Sequence, residues 1–282
     1  MPADQHARAA PKPKPADRRH PRTATAEPER LARVVRLAID DLTRPGGGDW
    51  KLTKPPKYMN KDKTKIDIFD GRRVLSVFYG KGSGTSNMPG VGGCAISASP
   101  WGDEPVDSAV MSFQVYFAPG WDFSKGGKIG GFHVGHGKAS GYRHSDTASS
   151  HRIMWQRDGG AISYIYPPSN LAQADPRLRP EGCGIGYFHD AFPAGTLKVG
   201  RWNTVRIGVK VNTFDAHGAP RPDGVALLEV NGEERRLENV RWSRSPDLKI
   251  STFELGTFFG GPDPAVRDCT AHYATFRWEP WP

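Results

Sequence analysis

The sequence is poor in cysteine and in long apolar runs, and each shortage excludes a class of protein. Three widely spaced cysteines in 282 residues form neither a disulfide framework nor a zinc-ligand pattern, so we expect Cys94, Cys183 and Cys269 to be buried, reduced thiols. No apolar run approaches the roughly 18 residues of a membrane-spanning helix. The first residues lack the apolar segment of a secretory signal. We therefore expect synthesis in the cytosol, with virion association or release by lysis as the routes to a substrate outside the cell.

Glycine and proline are abundant, with 33 and 25 residues, and they disfavour long helices. A hydrophobic fraction of 37% is too high for a wholly disordered chain. The formal net charge of +9 suits a polyanionic ligand, either an acidic polysaccharide or a nucleic acid, although a generically basic surface explains it equally well. No dense basic stripe with interleaved aromatic residues is present, so nucleic acid is not the expected partner.

The first 48 residues differ in composition from the rest of the chain. Residues 1–28 are rich in proline, lysine and arginine and predict a disordered tail. Residues 28–42 carry apolar side chains at helical spacing and predict one short helix, which Pro45 ends. We expect this tail and helix to be available to a protein partner. The main domain is predicted to span residues 49–282.

From about residue 50 the pattern changes to short strands separated by turns. In residues 204–211, apolar and polar side chains alternate, which is typical of a strand with one buried face. The dipeptide Asn231-Gly232 predicts a hairpin turn. Further strands are predicted at residues 74–79, 109–117, 225–230, 249–259 and 273–278. Many strands without an internal repeat predict an all-β protein, a jelly-roll β-sandwich with a concave face on which a site would lie.

A hairpin is also predicted within residues 124–168, where polar side chains are concentrated. Side chains two residues apart in a strand share a face. Ser150 and Arg152 therefore point to one side of the first strand, and Tyr164 and Tyr166 point to one side of the second. Whether the two pairs meet depends on the turn between the strands.

A two-residue turn would put Arg152 and the tyrosines on opposite faces. A three-residue turn at residues 158–160 would instead place Arg152 opposite Tyr166, and Met154 opposite Tyr164. The second glycine of that turn makes the longer form sterically easy. We therefore predict the longer turn and a single cluster of one serine, one arginine and two tyrosines.

Several short motifs resemble polysaccharide lyase family 14, which comprises alginate and glucuronan lyases on a β-jelly-roll fold. The matching motifs are Gly126-Gly127-Lys128, Ser150-His151-Arg152-Ile153-Met154-Trp155, Tyr164-Ile165-Tyr166, Ser251-Thr252-Phe253 and Thr257-Phe258-Phe259-Gly260-Gly261. The resemblance covers about residues 70–280. It departs from the family at Gly130, where a proline is usual, and in the histidine-rich residues 133–144.

The resemblance implies an active site formed by Lys128, Ser150, Arg152, Tyr164 and Tyr166. These residue types suit β-elimination, in which the carboxylate beside the C5 proton must be neutralised. Arg152 can do this with two hydrogen bonds, and Lys128 can add a charge or act as the base. Either tyrosine can serve as base or acid, and Ser150 would bind the carboxylate or orient Lys128. This scheme requires no metal or organic cofactor.

Three histidines near these residues have simpler explanations. His133 and His136 are three residues apart, so in a regular strand they face opposite ways and do not predict a metal site. His151 should point away from Ser150 and Arg152 and pack in the core. The main alternative to a lyase is a non-catalytic glycan-binding or structural protein, for example part of a virus particle. A nucleic-acid-binding module rests on charge alone.

Overall fold

The computed structural model describes residues 34–84, 91–137, 139–140, 145–168, 191–260 and 264–281, and the backbone alone of Arg179–Glu181 and Gly184–Gly186. Nearly half of these residues form antiparallel strands in two large sheets that pack face to face. The predicted all-β jelly-roll sandwich is confirmed. Among the described residues, no helix combines the length and the apolar character needed to cross a membrane.

The larger sheet has eight strands and forms the back of the sandwich. Its strands are β1 (Val35–Leu37), β3 (Lys65–Phe69), β4 (Arg72–Tyr79), β6 (Ser108–Phe117), β12 (Trp202–Lys210), β13 (Gly224–Val230), β14 (Glu233–Val240) and β16 (Cys269–Glu279). They run in the order β14-β13-β12-β6-β16-β4-β3, and β1 also pairs with β16. The predicted turn at Asn231-Gly232 joins β13 to β14, with both residues at positive φ.

The smaller sheet has six strands and carries the candidate site. Its strands are β2 (Lys57–Tyr58), β5 (Cys94–Ala98), β7 (Gly127–Gly135), β8 (Ala148–Trp155), β9 (Ala161–Tyr166) and β15 (Ile250–Phe259). They run in the order β2-β5-β15-β7-β8-β9. A separate pair of short strands, β10 (Arg179–Glu181) and β11 (Gly184–Gly186), completes the described strands.

The core lies between the two sheets and is rich in aromatic side chains. Phe113 of the larger sheet packs against Phe253 of the smaller one with ring centroids 6.4 Å apart, and Trp155 lies 6.3 Å from Phe117. Cys94 and Cys269 are buried free thiols, as predicted, while Cys183 lies outside the described residues. Burial of this kind is the main favourable term in folding.

A buried triangle of hydroxyl groups also joins the sheets. The Tyr79 hydroxyl lies 2.5 Å from Thr257 Oγ1 and 3.0 Å from the Tyr273 hydroxyl, and Thr257 Oγ1 lies 2.8 Å from the Tyr273 hydroxyl. Burial raises the pKa of both tyrosines, so they remain neutral hydrogen-bonding groups. The triangle satisfies three polar groups that would otherwise be costly to bury.

The helix predicted over residues 28–42 is wrong for the part that the structure describes. Val35–Leu37 form a strand, and Ile39–Thr43 form a short 3-10 helix; residues 28–33 lie outside the described residues. The reason is tertiary, because β16 continues beyond its pairing with β4, and β1 pairs with the segment from Phe276 to Trp278. An edge of unpaired backbone groups favours a strand over a helix at that place.

Candidate active site

The β8–β9 hairpin brings the predicted serine, arginine and tyrosines onto one face of the smaller sheet. Ser150 lies opposite Tyr166, and Arg152 lies opposite Tyr164. Directly opposed residues share a face. The two tyrosines belong to a small hydrophobic cluster separate from the main core, so this face points away from the second sheet. The prediction of one cluster therefore holds in the structure.

The predicted register of that hairpin is nevertheless wrong by two residues. Residues 156–160 form the connection, with Arg157–Gly159 in a 3-10 turn, in place of the three-residue turn that would put Arg152 opposite Tyr166. Tertiary hydrogen bonds hold the longer connection: the Asp158 amide donates to the Phe123 carbonyl, and the Leu197 amide donates to the Gly159 carbonyl. A shift of two residues keeps every side chain on its face, which is why the cluster survives.

A β-bulge in β7 adds Lys128 and a second residue to this face. Lys128 pairs with Met154, but Gly130 pairs with Ile153, so Ile129 is an extra residue in the strand. After the bulge the alternation of side chains is reversed. His133, which a regular strand would turn away from Lys128, therefore lies on the same face and pairs with Ser150.

His133, Arg152 and Glu254 form a closed group of side chains at the centre of the face. Arg152 Nη2 lies 2.6 Å from His133 Nε2, which lies 3.3 Å from Glu254 Oε2. The group closes through Glu254 Oε1, 4.0 Å from Arg152 Nη1. Arg152 is 4% exposed, and its Nε has no hydrogen-bond partner among the described residues. An unpaired N–H of a guanidinium this deeply buried is costly, and an anion bound beside the arginine would stabilise its charge.

The side chains of this group shift one another's pKa values. Burial raises the pKa of Glu254, but the hydrogen bond with His133 and the charge of Arg152 outweigh it and lower that pKa to about 2. Burial and Arg152 lower the pKa of His133, so the imidazole is neutral. Because both contacts of His133 use Nε2, the ring accepts from Arg152 in one tautomer and donates to Glu254 in the other. Glu254 is thus a carboxylate beside the arginine.

Lys128 lies beside this group in an aromatic setting. Its Nζ is 5.3 Å from the ring centroid of Tyr164 and 5.5 Å from that of Phe258. Burial first, and the charge of Arg152 second, lower the pKa of Lys128 to about 8, while Glu254 works to raise it. An amine with that pKa is partly neutral near physiological pH, as a general base must be.

The two tyrosine hydroxyls form a hydrogen-bonded pair. Tyr164 and Tyr166 have their hydroxyl oxygens 2.7 Å apart, with the rings edge to face at 5.0 Å between centroids. Ser150 is buried and donates a hydrogen bond to the Ala139 carbonyl at 2.7 Å. The serine hydroxyl proton is therefore used by the segment that follows β7, and its oxygen remains an acceptor.

His151 lies on the opposite side of β8, where it was predicted to pack. It is fully buried, with Nδ1 3.0 Å from the Gly208 carbonyl oxygen of the larger sheet and Nε2 3.0 Å from Ser163 Oγ. Burial lowers the pKa of His151 to about 4. The ring therefore donates from Nδ1 and accepts at Nε2 in its neutral form, and it fastens the strand that carries Ser150 and Arg152 to the second sheet.

Sequence reasoning missed His133 and Glu254 as members of the site. The bulge that turns His133 has no signature beyond the glycines of residues 130–131. Glu254 could have been noticed in the sequence, because it is the one charged residue in the strand Ile250–Phe259. A carboxylate in such a strand needs a partner. Among the described residues, no group of three or more His, Cys, Asp and Glu side chains is arranged to hold a metal ion.

The fold and the candidate site define a class of protein: a β-sandwich with a buried arginine, an amine and paired phenols on one face of a sheet. The family model of polysaccharide lyase 14 matches residues 69–278, so the chain belongs to that family. The predicted family is confirmed.

Similar proteins agree with this family. The alginate lyase vAL-1 from Chlorella virus is 45% identical, with a TM-score of 0.79 over 88% of this chain and 99% of that chain. The PL-14 alginate lyase from Aplysia kurodai is 22% identical, with a TM-score of 0.66 over 81% of this chain and 91% of that one, and shares the fold. "Exolysin" of Paramecium bursaria Chlorella virus 1 is 32% identical over 175 residues, 55% of this chain but only 26% of that relative, so the match spans about a quarter of its length.

Proposed function

We propose that this protein cleaves a uronate polysaccharide, alginate in the first place and glucuronan in the second, by β-elimination. The observation that carries the proposal is the meeting of Lys128, Arg152 and the Tyr164–Tyr166 pair on one face of the smaller sheet. The choice of alginate is supported by the viral alginate lyase that is 45% identical.

Arg152 is proposed to bind the carboxylate of the uronate at the point of cleavage. Removal of the C5 proton places negative charge on C5 and its carboxylate, and a guanidinium in a buried site stabilises that charge. Burial strengthens such an interaction because the effective dielectric constant is lower than in water. Lys128 and the tyrosines are close enough to act on the same sugar ring.

Lys128 is the proposed base, and the tyrosine pair is the proposed acid. The neutral amine takes the C5 proton; the electron pair of the C5–H bond forms the C4–C5 double bond as the bond from C4 to the glycosidic oxygen breaks. A tyrosine hydroxyl gives its proton to that oxygen, and Lys128 returns the proton to the phenolate through the paired hydroxyls. Ser150 is proposed to hold the segment containing Ala139 beside Tyr166.

The test is the ultraviolet absorbance of the new double bond, which hydrolysis does not create. The protein is incubated with polymannuronate, polyguluronate and glucuronan, beside the variants Lys128→Ala, Tyr164→Phe and Tyr166→Phe. We expect a rise in absorbance that Lys128→Ala and at least one tyrosine variant lower about a hundredfold or more. The matched controls are Tyr116→Phe and Lys65→Ala, which lie on the larger sheet and should retain full activity.

A flat absorbance on all three polymers would refute the proposal for these substrates. Retained binding of a polymer, measured by calorimetry on the same protein, would then favour the non-catalytic glycan-binding alternative. Equal loss in the control variants would mean that the substitutions act through folding and not through the site.

A further inference from the structure

Glu254 places a negative charge inside a site that is proposed to bind a negative polymer, and the reaction described above does not use it. Its side chain is 20% exposed, and it contacts both His133 and Arg152. A carboxylate at this position would weaken the binding of an anion by repulsion. Glu254 should therefore have another role in the site, and its contacts with His133 and Arg152 indicate that this role concerns the arginine.

We propose that Glu254 and His133 are positioning residues that contact the two terminal nitrogens of the Arg152 guanidinium and fix the orientation in which it meets the substrate carboxylate. The inference rests on the proposed function. His133 contacts Nη2 at 2.6 Å, and Glu254 Oε1 lies 4.0 Å from Nη1. The three side chains come from β7, β8 and β15, so each strand contributes one corner of the group.

The sheet geometry dictates this arrangement. Glu254 pairs with Gly131, and Gly131 pairs with Arg152, so a glycine lies between the two charged residues in the central strand. A side chain at Gly131 would overlap the His151 carbonyl and crowd the Arg152 backbone. Because no side chain separates them, the glutamate and the arginine reach each other across β7. Gly256 leaves similar room, since a Cβ there would lie 2.7 Å from Glu254 Oε1.

The charge of Glu254 also acts on the base. The titratable groups that face Glu254 are His133, Arg152, Lys54 and the Cys94 thiol. Arg152 and Glu254 are likewise the charged neighbours of Lys128, and they shift its pKa in opposite directions. Loss of the glutamate charge leaves the effect of the arginine unopposed, so the amine of Lys128 becomes neutral at lower pH.

The first test is the variant Glu254→Gln, which keeps the size of the side chain and removes its charge. We expect kcat to fall about tenfold, because Arg152 is no longer aligned with the transition state, while KM stays within about twofold or falls, because the repulsion of the anionic substrate is removed. We also expect the rising limb of the pH–rate profile to move to lower pH by about half a unit to one unit. Glu254→Asp keeps the charge on a shorter side chain, so kcat should fall while the limb stays in place.

The second test concerns His133. His133→Gln places an amide oxygen near the position of Nε2 and should retain at least about half of the activity, whereas His133→Ala should lose about tenfold in kcat. The matched control is Glu229→Gln on the larger sheet, where Glu229 Oε2 lies 3.6 Å from Arg206 Nη1. That variant should change neither kcat, KM nor the pH profile.

Each outcome separates the inference from the proposed function. A wild-type protein that makes no unsaturated product contradicts the proposed function itself. A wild-type protein that cleaves alginate, with Glu254→Gln raising KM more than about tenfold or leaving the limb unmoved, overturns the positioning role. Equal losses in the glutamine and alanine variants of His133 overturn its part as a hydrogen-bond acceptor.

Discussion

Acid should destabilise this protein through His151, the buried histidine beneath the site. The ring joins β8 to the Gly208 carbonyl of β12 and contacts Ser163, each at 3.0 Å. Burial lowers its pKa from 6.5 to about 4, although the hydrogen bond to Gly208 opposes part of that shift. The variant His151→Gln removes the titrating group and keeps a side chain that can donate and accept.

The sign follows from which state binds the proton. The pKa of His151 is lower in the folded state than in the unfolded state. Between these two pKa values the unfolded chain therefore binds a proton at His151 and the folded protein does not. The contribution of His151 to stability is complete above about pH 6.5 and is lost as the pH falls towards 4. Each pH unit in this window costs about 1.4 kcal/mol, so the total is about 3 kcal/mol.

The assay is urea unfolding of the wild-type protein and His151→Gln at several pH values between 7 and 4. At pH 7 we expect the variant to be less stable by about 1–3 kcal/mol, since a buried hydrogen-bonded ring has been replaced. This difference should shrink as the pH falls and vanish or reverse near pH 4. His217→Gln, at an exposed position, serves as the matched control for replacing a histidine by glutamine.

A constant difference between wild type and His151→Gln across the pH range would refute the reasoning. Burial also lowers the pKa of His133 and of His272, so the wild-type slope alone is not diagnostic. His133 and His272 contribute equally to the pH dependence of stability in both proteins, so their effects cancel in the comparison. The remaining pH dependence of the difference is due to His151.

Three further predictions follow from the same geometry. kcat/KM should rise with pH about tenfold per unit below the Lys128 pKa of about 8, as measured by initial rates, and a profile flat from pH 6 to 9 would count against the lysine as base. Thr257→Val breaks the buried hydroxyl triangle and should lower the free energy of unfolding, measured by urea unfolding, by about 1–3 kcal/mol. Thr204→Val on the exposed face should lower it much less. Equal losses in the two variants would contradict the role of the triangle. Gly131→Ala should lower the free energy of unfolding by roughly 2–4 kcal/mol, because its Cβ would overlap the carbonyl of the neighbouring strand. Gly71→Ala, in an open turn, should lower it by about 1 kcal/mol through backbone strain alone. A similarly small loss at Gly131 would mean that β7 and β8 can move apart at little cost in free energy.

Local patterns in the sequence were enough to predict the sandwich and the face shared by most of the candidate site residues. The alternation of apolar and polar residues in 204–211 reports burial on one face, and a strand has that period whatever its neighbours are. The same period of two placed Ser150, Arg152 and the tyrosine pair on shared faces. The order of the short motifs along the chain was sufficient to indicate the family, because such motifs retain the residue types of a site.

The tertiary structure alone decided the remaining features. The connection at residues 156–160 is held by hydrogen bonds to Phe123 and Leu197, which lie far away in the sequence, so local turn rules chose the wrong length. Val35–Leu37 became a strand because β16 had an edge to pair with. His133 and Glu254 reached Arg152 only through a bulge and a glycine between strands. Periodicity records which side of a strand is buried, whereas register, bulges and contacts between strands depend on atoms that are close only in the folded chain.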